Sequence, residues 1–337
     1  MNRRGARWLA LTACCAALGC GEERARSAPG PEPRDARATA QPALRVGVSY
    51  QALRFPFVAA LQRAALARAS ALGVELVEAD AGNDVATELA NVENLLLQGI
   101  ACLAFEATSL DGSLASIEAA NRAGVPVVQF NGRARGGESV SFVGSDQRES
   151  GDLLGGWLVE QLRASGKPSL RGLYLRGLAG QVTDLARSEA LHARLEREGL
   201  RSRIELIEQH ADYDRGRAQG VSESLLAAHP ELDLIVANND DMILGALEAV
   251  EARGLGGRVA LAGVDGLPET LTRIAEGRIA ATVFQDPEGQ GAGAIQACAD
   301  HLAGRPLAPE ILIPFELVHA GNVAGFAERA RRVYATH

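Results

Sequence analysis

The feature that most constrains this chain is an alternation of short apolar runs with helical periods, laid down once and then repeated. From residue 44 the runs LRVGVS (44–49), VELVE (74–78), ACLAF (101–105) and VPVVQF (125–130) each suit one strand. Between them apolar residues recur at helical spacing over 57–72, 85–98 and 114–122, with Gly73 and Gly99 as stops. Strands separated by helices pair in parallel through βαβ crossovers. After SVSFVGS (139–145) the alternation restarts, with helices expected over 149–165, 184–198, 215–228 and 242–253 and strands in RGLYLRG, RIELIEQ, LDLIVAN and VALAGV. The expected fold class is α/β, with two Rossmann-like lobes built on parallel sheets. A third stretch, with helices over 267–276 and 289–302 and apolar runs at 279–285 and 311–318, must return to one lobe or the other before a short terminal helix over 322–337. Crossings are expected at 145–146, 285–286 and 314–315. They divide the chain into an N-terminal lobe of 43–145 plus 286–314 and a C-terminal lobe of 146–285 plus 315–337.

The first forty residues read differently. Arg3, Arg4 and Arg7 precede an apolar run over 8–18 that is too short to span about 30 Å of hydrocarbon as a helix, which is the pattern of an export signal. The run ends in Ala16-Ala17-Leu18-Gly19-Cys20, which resembles the lipobox of bacterial lipoproteins. Residues 1–19 are expected to be a lipoprotein signal peptide, Cys20 the lipidated residue, and 20–42, dense in Pro, Ala and charge, a tether. That places the protein in the cell envelope, exported and membrane-anchored, facing the periplasm. Of five cysteines only Cys102 and Cys298 fall in the folded part, one in an apolar strand run and one in a helical pattern, and buried unpaired thiols are expected rather than a disulfide. The formal charge is −8, from 34 Lys plus Arg against 42 Asp plus Glu, with no basic cluster. Nucleic acid is excluded as a partner because phosphate neutralisation needs a concentrated positive footprint.

Catalytic signatures are absent. There is no G-x-S-x-G elbow, phosphate-binding G-x-x-x-x-G-K-[ST], H-E-x-x-H or C-x-x-C, and the six histidines fall in no metal-ligand spacing. No cofactor and no metal are expected. The glycine-rich 289–293 departs from the dinucleotide fingerprint at its third glycine and reads as close helix–sheet packing. Asp214 and Asp84 each stand before a helical period and read as N-caps rather than cation ligands, with Tyr213 placed to offer a ring to a cleft. The two halves match most closely where a strand run ends in Asn131-Gly132 and in Asp265-Gly266. Ligands of open α/β sheets sit beyond the carboxyl ends of strands, so two such lobes facing each other would make a cleft. Either dipeptide alone also suits a plain turn.

Several ordered stretches carry a resemblance that covers nearly the whole chain beyond the tether: Pro56-Phe57-Val58, ELANVENLLLQG (88–99), AGVPVV (123–128), FVGSD (142–146), GLAG (177–180), ADYDR (211–215), residues 225–247, AGVDG (262–266) and residues 277–291. The sequence resembles the ribose-type periplasmic sugar-binding proteins of ABC transporters, which share their fold with the sensor domains of LacI-type repressors. The resemblance implies two lobes, three crossings and a hinge that closes on ligand. It assigns Asn239 and Asp265 to sugar hydroxyls, Gln285 to the hinge, Tyr213 to a stacking position and Phe57 to an aromatic platform, with Val58 where a second ring is usual and Phe55 placed to restore it. The family's Asp-Arg pair is Asn131-Gly132 here, and Leu185 stands where a further arginine is expected, so Asn131, Asn239, Gln285 and Arg133 or Arg187 remain as donors. Glu106 adds a carboxylate where the family often has an amide, which keeps an amine-bearing ligand open beside ribose-like sugars.

The expected function is a monomeric, lipid-anchored receptor that captures a small polar molecule, a sugar or polyol, and hands it to the membrane permease of an ABC importer. The alternative is a sensor of the same fold feeding a membrane kinase or chemoreceptor. A repressor would need a DNA-binding segment where the lipobox and tether stand. A hydrolase working through Glu106 and Asp265 would need those carboxylates together, yet the pattern assigns them to different lobes.

Overall fold

The computed structural model describes residues 44–334. The apolar run, Cys20 and the 20–42 tether lie outside the described residues. The first half of the chain lays down β1 (Arg45–Tyr50), α1 (Pro56–Leu72), β2 (Glu75–Asp80), α2 (Val85–Leu97), β3 (Cys102–Phe105), α3 (Leu114–Arg122), β4 (Val127–Phe130) and β5 (Ser141–Gly144). The second lays down α4 (Gln147–Ser165), β6 (Leu170–Arg176), α5 (Val182–Arg197), β7 (Ile204–His210), α6 (Arg215–Ala228), β8 (Leu234–Ala237), α7 (Asp240–Ala252), β9 (Ala260–Asp265), α8 (Pro268–Ala275) and β10 (Ala281–Phe284). Then come α9 (Pro287–Leu302), β11 (Glu310–Leu312), β12 (Glu316–His319) and α10 (Val323–Tyr334).

Two six-stranded sheets result, in the orders β11-β5-β4-β3-β1-β2 and β12-β10-β9-β8-β6-β7. Every pairing is parallel except β10 with β12, where the returning chain adds an antiparallel edge. The central strands β3, β4, β8 and β10 are buried along their whole length, as a sheet covered on both faces requires. The apolar run at 311–318 splits at Pro314, leaving β11 in one sheet and β12 in the other. In each sheet the first strand, β1 or β6, is flanked by the second on one side and the third on the other. That reversal opens a crevice at the carboxyl ends of β1 and β3 and again at those of β6 and β8.

Glycines let helices seat on one another's backbone. A Cβ at Gly151 would lie 2.0 Å from the Arg187 carbonyl, so only glycine lets α4 close on the backbone of α5. A Cβ at Gly291 would lie 2.2 Å from the Leu61 carbonyl, seating α9 against α1, while one at Gly293 would press on Val143 of β5 at 2.8 Å. The 289–293 run thus packs on a helix as well as on the sheet.

Cys102 and Cys298 form a disulfide, with Cα atoms 5.8 Å apart, which corrects the expectation of free thiols. Cys102 is the first residue of β3, inside the sheet, and α9 crosses that sheet face, so the two side chains meet in one core cluster. The separation of 196 residues hid the pair, because α9 joins the first sheet only after the chain has built the second.

Candidate ligand-binding cleft

The polar core of the site grows from the end of β9. Asp265 holds φ at 129°, a conformation that disfavours any side chain, and Gly266 follows at 78°. The turn is pinned from behind by Asp240, whose carboxylate accepts the N–H of Gly266 at 2.9 Å and of Leu267 at 2.8 Å and the Thr282 hydroxyl at 2.7 Å. Burial pushes the Asp240 carboxyl up to about 6 and holds Asp265 well above the usual carboxylate range, with Arg187 opposing the latter shift.

Arg187 is the hub. It is 4% exposed, and its guanidinium donates to Gln147 Oε1 at 2.9 Å, to Gln285 Oε1 at 3.0 Å and to the Asn238 carbonyl, with Asp265 Oδ1 3.8 Å away. Asn238 is fixed in turn by Asp184, which accepts its Nδ2 at 2.8 Å, takes the Gly177 N–H at 2.8 Å and pairs with Arg176 through both carboxylate oxygens. Next to it Asn239 caps α7, its Oδ1 accepting the Met242 N–H at 3.0 Å, so its Nδ2 is the group left to donate to a ligand.

From the other sheet, Asn131 at the end of β4 accepts from Gln285 Nε2 at 3.0 Å and donates through Nδ2 to Glu106 at 2.5 Å. Phe57 and Val58 open α1 and are buried, and Phe55 meets Tyr213 edge-on with ring centroids 6.1 Å apart, so aromatic side chains from the two halves touch. These residues enclose a cavity of about 60 Å³ whose wall includes Phe55, Phe57, Asn131, Arg187, Tyr213, Asn239, Asp265 and Gln285. The Tyr213 hydroxyl, in a side chain 8% exposed, has no protein partner.

One assignment changes, and one open choice narrows. Glu106 lies behind the wall rather than in it: it is fully buried, its second oxygen accepts the Gln51 N–H at 3.0 Å, and burial lifts its carboxyl to about 7. An amine entering the cavity would therefore meet Asp265 alone, already opposite Arg187. Of Arg133 and Arg187, the two arginines left open as donors, Arg187 lines the cavity. Leu185 is 41% exposed and turned away, whereas Arg187, two residues on, lies on the inner face of α5 with Asp184, Ser188 and Leu191. A charged residue on a helix's buried stripe was the available signal, and Asp184 carried the same one. Arg133 sits outside this cavity, stacked 4.0 Å from the Phe142 centroid and paired with Glu310 at 2.7 Å. Asp214 and Asp84 cap α6 and α2, and among the described residues no three His, Cys, Asp or Glu side chains group as a metal site. No helix among them is long and apolar enough to cross a membrane.

Two doubly wound halves facing each other over a cavity of amides, a carboxylate, a guanidinium and aromatic faces define a two-lobed solute receptor. The chain matches the periplasmic binding protein domain over residues 46–306 and belongs to that family. It is 31% identical over 266 residues to the ribose import binding protein of Escherichia coli, covering 79% of this chain and 87% of that one. Among solved structures, an ABC transporter solute binding protein from Mycobacterium smegmatis with bound glycerol aligns at TM-score 0.77 and 33% identity, covering 84% of this chain and 96% of that one. One from Bacillus halodurans with bound myo-inositol aligns at 0.78 and 27%, covering 86% and 100%. The relatives are solute-binding proteins and not enzymes, in keeping with the absence of catalytic motifs.

Proposed function

We propose that this chain is the solute receptor of an ABC importer and that it captures a small uncharged polyol, a monosaccharide or cyclitol, by closing its lobes around it. The observation that carries the reading is the polar array of Asn131, Arg187, Asn239, Asp265 and Gln285, drawn from both lobes and set between Phe57 and Tyr213. Adjacent hydroxyls both donate and accept. Such a set answers them with amide and guanidinium donors and carbonyl and carboxylate acceptors, while the rings cover the C–H face. Arg187 and Asp265 balance each other, which favours a neutral ligand over an amine or an acid.

Residues 43–145 with 286–314 and residues 146–285 with 315–337 are the two moving bodies in this reading. A ligand that touches Asn131 on one and Asp265 on the other binds the closed form better than the open one, and that difference shifts the hinge equilibrium. The closed pair of lobes is then the surface a permease reads. Lipidation at Cys20 tethers the receptor to the envelope membrane, and the Cys102–Cys298 disulfide suits an oxidising compartment.

A thermal-shift series on the full chain with D-ribose, D-galactose, D-allose, myo-inositol and glycerol tests the ligand class. A saturating ligand at 100 times its Kd adds about 2.7 kcal/mol, a shift of several degrees. No shift with any polyol overturns the reading. Fractionation of cells carrying the full chain or Cys20→Ala tests the anchor, with only the variant expected in the soluble fraction.

A further inference from the structure

The 60 Å³ cavity has a larger neighbour. A chamber of about 330 Å³ adjoins it on the side away from Phe55 and shares Gln51, Asn131, Gln147, Gln181 and Thr183 with it as common wall. The chamber has more than five times the volume of the inner cavity, so it offers room for a group beyond the one held in the polyol pocket.

The chamber is built from both lobes. Gly132 forms part of its floor, where a Cβ would lie 2.7 Å from the Ala107 carbonyl, so the loop after β4 lies flat against Ala107 at that point. Arg133, which follows, is drawn aside onto the Phe142 ring. Opposite, Val182 and Ala186 of α5 contribute small apolar groups. Thr108, on the chamber wall and 8% exposed, has a hydroxyl without a protein partner, and so does the Oε1 of Gln181 on the common wall. Charge is balanced: Arg133 pairs with Glu310 at 2.7 Å, Arg148 with Glu189 at 3.2 Å, and Asp146 caps α4 through the Arg148 N–H.

We infer that the chamber is a second subsite, and that the ligand is a polyol carrying an O-linked second unit, a glycoside rather than a free monosaccharide. This rests on the polyol reading of the inner pocket. The ring sits among Arg187, Asp265 and Asn239, its substituent passes between Asn131 and Thr183, and the second unit meets the Thr108 hydroxyl, Gln181 and the apolar side of α5. A wall of paired charges and small apolar groups with two unpaired polar groups fits a second sugar or an aryl aglycone.

Titration calorimetry on the full chain with D-galactose, D-ribose and myo-inositol beside phenyl galactoside, phenyl riboside and galactinol, the galactoside of myo-inositol, tests it. At least one substituted member is expected to bind about tenfold or more tighter than its parent, the gain from burying one further ring edge. Galactinol gaining over inositol assigns the chamber to a second sugar, and the phenyl glycosides gaining alone assigns it to an apolar aglycone. Ala186→Trp, or Val182→Trp should the first fold poorly, fills the chamber without touching the inner wall. It is expected to abolish the gain and keep the parent's affinity within about twofold. Parents binding with no gain from any substituent overturns the second subsite and leaves the polyol receptor standing. A gain that survives both tryptophan variants likewise overturns it. No binding by any of the six overturns both.

Discussion

Ala81-Gly82-Asn83-Asp84 and Ala211-Asp212-Tyr213-Asp214 make the same turn at the same place in the two lobes. Each follows the strand beside its sheet's first strand, each opens with a buried alanine whose N–H reaches the first strand, at Tyr50 or Arg176, and each ends in an aspartate that caps the next helix. Both turns hold two successive left-handed residues, at φ 59° and 66° in the first and 54° and 59° in the second. The N-terminal lobe fills them with glycine and asparagine, which adopt that conformation readily. The C-terminal lobe fills them with aspartate and a tyrosine, a bulky residue for which it costs about 1–3 kcal/mol. Tyr213 faces the cavity, and Gly177 makes room for its ring, since a Cβ there would lie 2.0 Å from it. Strain is accepted in the lobe where the side chain lines the cavity, and avoided where the turn only turns.

The same division runs through the lobes' interiors. Behind the C-terminal wall Arg176, Asp184, Asn238 and Arg187 form a wired set that brings a guanidinium to the cavity, while the N-terminal lobe is tied by a disulfide, keeps its carboxylate Glu106 behind the wall and offers rings, Gln51 and Asn131. If the polar wiring is what confers affinity, Arg187→Ala has the largest effect of any single change. It leaves Asp265 buried without its counter-charge and the Gln285 Oε1 without its donor, and the affinity for whichever polyol shifts the wild type is expected to fall by more than about a hundredfold in titration calorimetry. A loss under tenfold would move the weight of binding to the N-terminal lobe and break the comparison.

Removing the disulfide tests the other side. The Cys102→Ala/Cys298→Ala double variant is expected to lose about 2–4 kcal/mol of stability in denaturant unfolding, with polyol affinity changed little, because the bond lies in the core between β3 and α9 and neither cysteine lines the cavity. Equal losses of stability and of affinity would mean that the N-terminal core also sets the cleft geometry.

How much of this was legible in the chain follows from the same contrast. Alternating periodicity reports burial, so the βαβ order and the strand ends at Asn131 and Asp265 could be read directly, along with the caps at Asp84 and Asp214. What periodicity cannot report is which partner a buried polar residue has. Arg187 and Asp184 lie on the buried stripe of α5, and only the fold shows that this stripe faces the cleft and Asn238 rather than an apolar core. Glu106 stands at a strand end, as a ligand-binding residue would, but Gln51 and Asn131 consume both its oxygens. Cys102 and Cys298 meet because α9 returns after a whole lobe has intervened, a tertiary fact with no local trace.

The buried carboxylates give the comparison a pH signature. Glu106 is raised to about 7, Asp240 to about 6 and Asp265 well above the usual carboxylate range, all by burial, so the folded state holds protons that the unfolded chain releases near 4.5 for glutamate and 3.8 for aspartate. Between those limits the folded form binds more protons, and stability falls as pH rises. Glu208, held near 2 by His192 and Arg176, acts oppositely and loses its contribution only as pH drops below about 4.5. The melting temperature is therefore expected to climb by a few degrees from about pH 7.5 to about pH 5 and to decline below that. Glu106→Gln keeps the shape and removes one of these titrations, so it should lessen the rise. A variant curve with the same rise as the wild type would show that Glu106 is ionised in the fold and hydrated.

The smallest effect bears most directly on the paired turns. Gly82→Ala places a Cβ in open space, with no heavy atom within 4 Å, so the only penalty is the left-handed backbone. The expected loss is about 1 kcal/mol in denaturant unfolding, with an unchanged dependence on denaturant and unchanged ligand affinity. That value is also a lower bound on what the fold bears at Tyr213, where a larger side chain holds the same φ. If the alanine is tolerated without loss, the first turn is indifferent to its residues. The tyrosine in the second then needs no functional account, and the difference between the lobes reduces to the Arg187 wiring alone.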